Sequence, residues 1–90
     1  IPDRFGLTGI FPNPFNPSAT VTVALPESGE LQVALYNVSG QLVAALYHGT
    51  ISAGYHNFPL DGSDLASGMY FVSATIPEKP AQIQKVVLVK

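Results

Sequence analysis

Turn-forming residues recur so closely along this 90-residue chain that no stretch between them is long enough to sustain a helix. Pro12, Pro14 and Pro17 stand within Phe11–Ser18, each fixing φ, deleting a backbone donor and pushing its predecessor into extended backbone. Further breaks fall at Pro26-Glu27-Ser28-Gly29, Asn37-Val38-Ser39-Gly40, His48-Gly49-Thr50, Ser52-Ala53-Gly54, Asp61-Gly62-Ser63-Asp64 and Pro77-Glu78-Lys79-Pro80. Between these breaks the apolar residues alternate with the period of a strand.

Phe5–Ile10 reads as a first short strand. Val21, Val23 and Leu25 share the inner face of a second, and Leu31, Val33 and Leu35 repeat the pattern before Asn37–Gly40 turns the chain into 41–47 as a hairpin. Tyr55–Leu60 is a fifth strand, with Pro59 placing it at a sheet edge. The chain closes with a strand pair. Tyr70, Val72, Ala74 and Ile76 share one face of its first member, and 83–90 form the second, too β-branched and too short to favour a helix. The expected fold is a single all-β domain, an immunoglobulin-like antiparallel β-sandwich of about seven strands. Residues 1–18 form an extended proline-rich lead-in, and 19–90 form the sandwich core. The two Asn-Pro steps, Asn13-Pro14 and Asn16-Pro17, are expected to brace their own backbone through the Asn side chains.

Composition removes several classes of function. Four Lys and Arg against six Asp and Glu, with no basic run, leave no electrostatic footprint for nucleic acid. With no cysteine there is no disulfide scaffold, thiolate metal site or thiol nucleophile. No apolar run reaches the length of a membrane span, and Ile1-Pro2-Asp3-Arg4 lacks the features of a signal peptide, so the segment reads as part of something larger.

Catalysis has no anchor either. Ser39, Ser63 and Ser67 lie in turns, no Gly-x-Ser-x-Gly elbow is present, and no glycine-rich phosphate loop leads into a helix. His48 reads as a turn histidine and His56 as a strand histidine, without a carboxylate at ligand spacing. Asp61-Gly62-Ser63-Asp64 lacks the spaced acids and closing Glu of a calcium loop and reads as a turn braced by Asp. Neither metal nor cofactor is expected, and the chain is not expected to be an enzyme. Most of the nine aromatics are expected in the core, although an exposed row of them would make a sugar-stacking platform. Asn37-Val38-Ser39 fits the N-glycosylation triplet, which matters only in a eukaryotic secretory pathway.

The informative feature is a set of segments in one order: Phe-Pro-Asn-Pro-Phe-Asn-Pro-Ser at 11–18, Leu-Tyr-Asn-Val-Ser-Gly-Gln-Leu-Val at 35–43, Ala-Gly-Tyr-His at 53–56, Leu-Ala-Ser-Gly-Met-Tyr-Phe-Val at 65–72 and Lys-Val-Val-Leu-Val-Lys at 85–90. Together they closely resemble the type A C-terminal sorting domain of type IX secretion system cargo proteins, from about Phe5 to Lys90. The resemblance implies an immunoglobulin-like module that directs an upstream cargo domain, exported to the periplasm by a separate N-terminal signal, through the outer-membrane translocon of Bacteroidetes-like bacteria. A sortase-like protease would then remove the module by cleaving near or before Ile1, and would attach the cargo to an anionic lipopolysaccharide. The cargo would end secreted or at the cell surface.

The family's recurrent positions map onto Pro12, Asn13 and Pro14, continued by Asn16 and Pro17, and onto Gly68, Tyr70, Lys85 and Lys90, with Phe11 standing where Tyr is common. The last four are expected to be read by the translocon, with addition to the edge of the terminal strand as the mode. The module is expected to be monomeric. Two other classes remain open: the immunoglobulin-like domain of the flagellar hook-capping protein, which resembles Leu35–Val72, and an adhesive or carbohydrate-binding sandwich.

Overall fold

The computed structural model describes residues 2–90. Seven strands, β1 (Gly6–Phe11), β2 (Ser18–Leu25), β3 (Gly29–Asn37), β4 (Leu42–Ile51), β5 (Gly54–Asp61), β6 (Gly68–Thr75) and β7 (Gln82–Leu88), form two antiparallel sheets. One sheet has the order β1-β2-β5 and the other β4-β3-β6-β7. They face each other as a sandwich, and no helix among the described residues is long and apolar enough to cross a membrane.

The alternation in the sequence fills the space between the sheets. Val21 and Val23 of β2 and Phe58 and Leu60 of β5 meet Leu31, Val33 and Leu35 of β3, Val72 and Ala74 of β6, and Val86 and Leu88 of β7. Across the layers, the rings of Tyr47 (β4) and Phe58 pack tilted by 39°, with 5.1 Å between centroids. The core among the described residues is held by apolar packing, and the one hydroxyl that enters it, that of Tyr70, is bonded to a backbone carbonyl.

Three expectations change. β4 runs to Ile51, because β3 begins at Gly29 and supplies ladder partners for Gly49, Thr50 and Ile51, so His48 is a strand residue and not a turn residue. β1 extends to Phe11 and pairs with β2, so the lead-in contributes a strand of the sandwich. Of the nine aromatics only Phe15, Phe58 and Tyr70 are buried, while Phe11 and Tyr55 are 80% and 64% exposed. Pro59 does lie on an edge strand, as expected, since β5 ends its sheet.

The loop joining β1 to β2 crosses from one sheet toward the other and drops Phe15 into the core with no exposed surface. Gly62, just after β5, closes over it and donates from its N–H to the carbonyl of Pro17 at 2.7 Å. A Cβ on Gly62 would lie 2.9 Å from Leu88 Cδ2 and 3.0 Å from Phe15 Cε2. Both side chains are fully packed and have nowhere to retreat. Gly62→Ala is therefore expected to cost about 1–3 kcal/mol, a fall in Tm of at least several degrees for a domain of this size, measured by thermal melting.

Candidate functional site

The proline-rich loop and the terminal strand form one unit. Asn13 lies outside the core, yet its side chain spans the outer edge of β7: Nδ2 donates to the carbonyl of Lys85 at 3.2 Å, and Oδ1 accepts from the N–H of Val87 at 3.1 Å. Two residues on, the backbone continues the ladder. The Phe15 N–H donates to the carbonyl of Val87, and the Val89 N–H donates to the carbonyl of Phe15, each at 2.9 Å. Phe15 and Leu88 thereby make a short parallel bridge. The Asn13 amide acts as one more peptide group, so the loop serves as a two-residue eighth strand. This corrects the expectation that Asn13 braces its own backbone.

The consequence for the edge is direct. Along a strand the backbone groups of alternate residues point the same way. Those of Lys85 and Val87 point away from β6, and all but the Lys85 N–H are taken by the loop. The outer edge of β7 is thus closed from the Lys85 carbonyl to Val89 and open only at Ile83 and the Lys85 N–H, among the described residues. Addition of a partner strand along the terminal residues, the mode expected from the sequence, meets an edge already occupied.

A second cluster surrounds the loop between β5 and β6. Tyr70 is buried on β6, and its hydroxyl donates to the carbonyl of Ala66 at 2.6 Å, an arrangement like the tyrosine corner of immunoglobulin sandwiches. Lys90 Nζ donates to the carbonyls of Ser63 at 2.7 Å and Leu65 at 2.9 Å, while its N–H donates to Ser67 Oγ at 3.1 Å. At the end of β5, Asp61 Oδ1 accepts from the Ser63 N–H at 3.0 Å. That bond, the Ser63 side chain and the nearby Lys90 charge hold the Asp61 carboxyl below its ordinary value. Gly68 opens β6 at φ 152°, a conformation essentially reserved for glycine, although a Cβ there would meet nothing within 4 Å.

The family model of the secretion system C-terminal sorting domain, the sorting module of type IX secretion, matches residues 9–90. The chain belongs to that family. No curated protein and no solved structure matches it. The match takes in both the Pro-Asn-Pro loop and the lysine-bearing terminal strand, the two parts that lie outside the Leu35–Val72 resemblance.

In this sorting domain Gly68, Tyr70 and Lys90 gather around the 62–67 loop, where each has a structural task. Lys85 stands apart on β7, exposed and opposite Phe71. Pro12 and Pro14 flank Asn13 on the surface, Asn16 and Pro17 lead into β2, and the three X-Pro bonds are cis. Sequence reasoning missed Phe15, Gly62 and Ser67 as members of these clusters. Phe15 carried a signal, being the one large apolar residue inside a run of prolines and asparagines. The other two carried none, since their partners are fixed only by the fold.

Other candidate sites do not assemble. His56 Nε2 lies 2.7 Å from the Ser52 carbonyl, His48 faces Gln32 across the ladder, and no metal-binding cluster exists among the described residues. The Asn37 side chain is absorbed in its own turn through Ser39 and Gln41. Phe11 and Tyr55, the most exposed aromatics, pair with Thr20 and Ala24 from opposite sides of β2, four residues apart, which separates them by about 16 Å with no aromatic between and leaves no stacking row.

Hydrogen exchange tests the closed edge without mutation: the N–H groups of Val87 and Val89 are expected to exchange more slowly than those of Ile83 and Lys85. Asn13→Asp keeps the acceptor for Val87 but sets a carboxylate against the Lys85 carbonyl. It is expected to cost about 1 kcal/mol in a denaturant melt, no less than Asn13→Ala. The lowered Asp61 carboxyl adds stability that is present above the ordinary aspartate range and lost as pH falls through the depressed value. The Tm difference between the parent and Asp61→Ala should therefore shrink from pH 5 toward pH 2.

Proposed function

We propose that this domain is the transport address of a larger exported protein. It directs an upstream cargo, delivered to the periplasm by a separate signal, through the outer-membrane type IX translocon. A sortase-like protease then removes the domain and joins the cargo to surface lipopolysaccharide, so that the cargo ends secreted or at the cell surface. The observation that carries this reading is the family match across residues 9–90. The fold supports it, because an address shared by unrelated cargoes must form without their help, and this sandwich closes its own core and most of its terminal edge.

In this reading the region around Gly68, Tyr70, Lys85 and Lys90 is what the translocon engages. Gly68, Tyr70 and Lys90 shape it and Lys85 offers it a charge. The domain acts on no substrate and carries no catalytic group, which fits a family whose role is sorting.

The test is a reporter carrying a periplasmic export signal followed by residues 1–90. It is expected to reach the medium or surface of a host with a compatible type IX system and to stay in the periplasm when the translocon is deleted. Lys85→Ala with Lys90→Ala should lower secretion while costing only about 1 kcal/mol of stability, since the carbonyls released by Lys90 are exposed and return to water. Parental secretion by that variant, folded, removes the lysines from the address.

A further inference from the structure

The outer faces of the two sheets differ in kind. On the three-stranded sheet Thr20, Thr22, Asn57 and Pro59 face solvent, with Thr22 Oγ1 donating to Asn57 Oδ1 at 2.8 Å, and the exposed rings of Phe11 and Tyr55 stand apart on its two edge strands, beside Thr20 and Ala24. On the four-stranded sheet the strand register lines up Leu42, Tyr36, Phe71 and Lys85 across all four strands. The next row runs Ala45, Ala34, Ser73 and Ile83. Leu42 is 56% and Ile83 64% exposed, and a groove of about 510 Å³ runs between Phe71, Ile83 and the β3–β4 turn. An apolar groove of this sort, lined by Tyr36, Val38, Phe71 and Ile83 on the face of a small domain, marks an interaction site.

From this face we infer that the four-stranded sheet is the docking surface for the transport machinery, and that its partner is an apolar surface carrying a carboxylate to meet Lys85. This rests on the sorting role proposed above and names the contact that serves it. Two observations select the occupant. The terminal edge is filled by Asn13 and Phe15, which leaves the face as the recognisable part of the terminal strand. Lys85 is the one charge in those two rows, and none of the chain's six acidic residues lies in either. A second copy docked on the same patch would bring Lys85 to a surface without a counter-charge. An acidic-rimmed partner supplies one, and charge at the rim sets encounter rate and rejects wrong partners.

The experiment uses the same reporter with Lys85→Glu and, separately, Ile83→Gln, both at exposed positions, and with Tyr55→Gln on the opposite sheet as control. The first two are expected to lower the secreted fraction about tenfold, the scale of one good interface contact, with unchanged melts, while the control secretes as the parent does. Parental secretion by folded Lys85→Glu and Ile83→Gln overturns this inference and leaves the sorting role standing. A parent that sediments as a dimer, dissociated by these substitutions, also overturns it and assigns the face to a second copy. If the parent reporter itself stays periplasmic in a competent host, the sorting role fails and the inference fails with it.

Discussion

The closure of the sandwich at β7 depends on the outer edge of that strand being held by a segment more than seventy residues earlier in the chain. Natural β-proteins must blunt their sheet edges or aggregate through them. Here the loop after β1 supplies two acceptors and two donors to β7, one of each pair from a side-chain amide that imitates a peptide group. The same segment places Phe15 under Leu88 and Gly62, so edge closure and core filling are one event. The prolines fit this arrangement: a segment that pairs for only two residues and then leaves the sheet benefits from a backbone that cannot extend the ladder.

With the edge closed, the terminal strand is distinguished by its side chains. Tyr70 and Lys90 point their polar groups at backbone carbonyls of the 63–66 stretch, while Lys85 makes no such bond. Residues that look alike as a terminal lysine motif therefore do different physical work. Lys90 ties the chain end to a loop of its own domain, and Lys85 keeps its charge available at the rim of an apolar face. In the proposed sorting role, a loss of secretion on replacing Lys90 or Tyr70 would carry a stability contribution that a loss on replacing Lys85 would not.

The sequence made the inner faces legible because burial imposes a period: Val21, Val23 and Leu25, and Leu31, Val33 and Leu35, all land in the core. β4 was harder. Its register with β3 slips twice, leaving Val43 and Leu46 as extra residues, and each bulge moves the following side chains to the other face and blurs the alternation. At its far end, His48-Gly49-Thr50 has turn composition, but pairing with Gln32, Leu31 and Glu30 overrides it. The Pro-Asn-Pro loop could be read as non-helical and turning. What Asn13 bonds to could not, since no periodicity reports a contact between residue 13 and residues 85 and 87.

The row of Leu42, Tyr36, Phe71 and Lys85 draws one residue from each of four strands, separated by up to 49 positions in the chain. No unfolded or half-paired form brings these side chains together, and β7 takes its place in the row while held between β6 and the loop at Asn13 and Phe15. A partner that binds the row therefore distinguishes a finished domain from an unfinished one without any separate checkpoint. The same coupling sets a limit on the address. A substitution that loosens the loop from β7, although it touches no residue of the row, would displace Lys85 along with the strand and weaken the proposed docking through the fold.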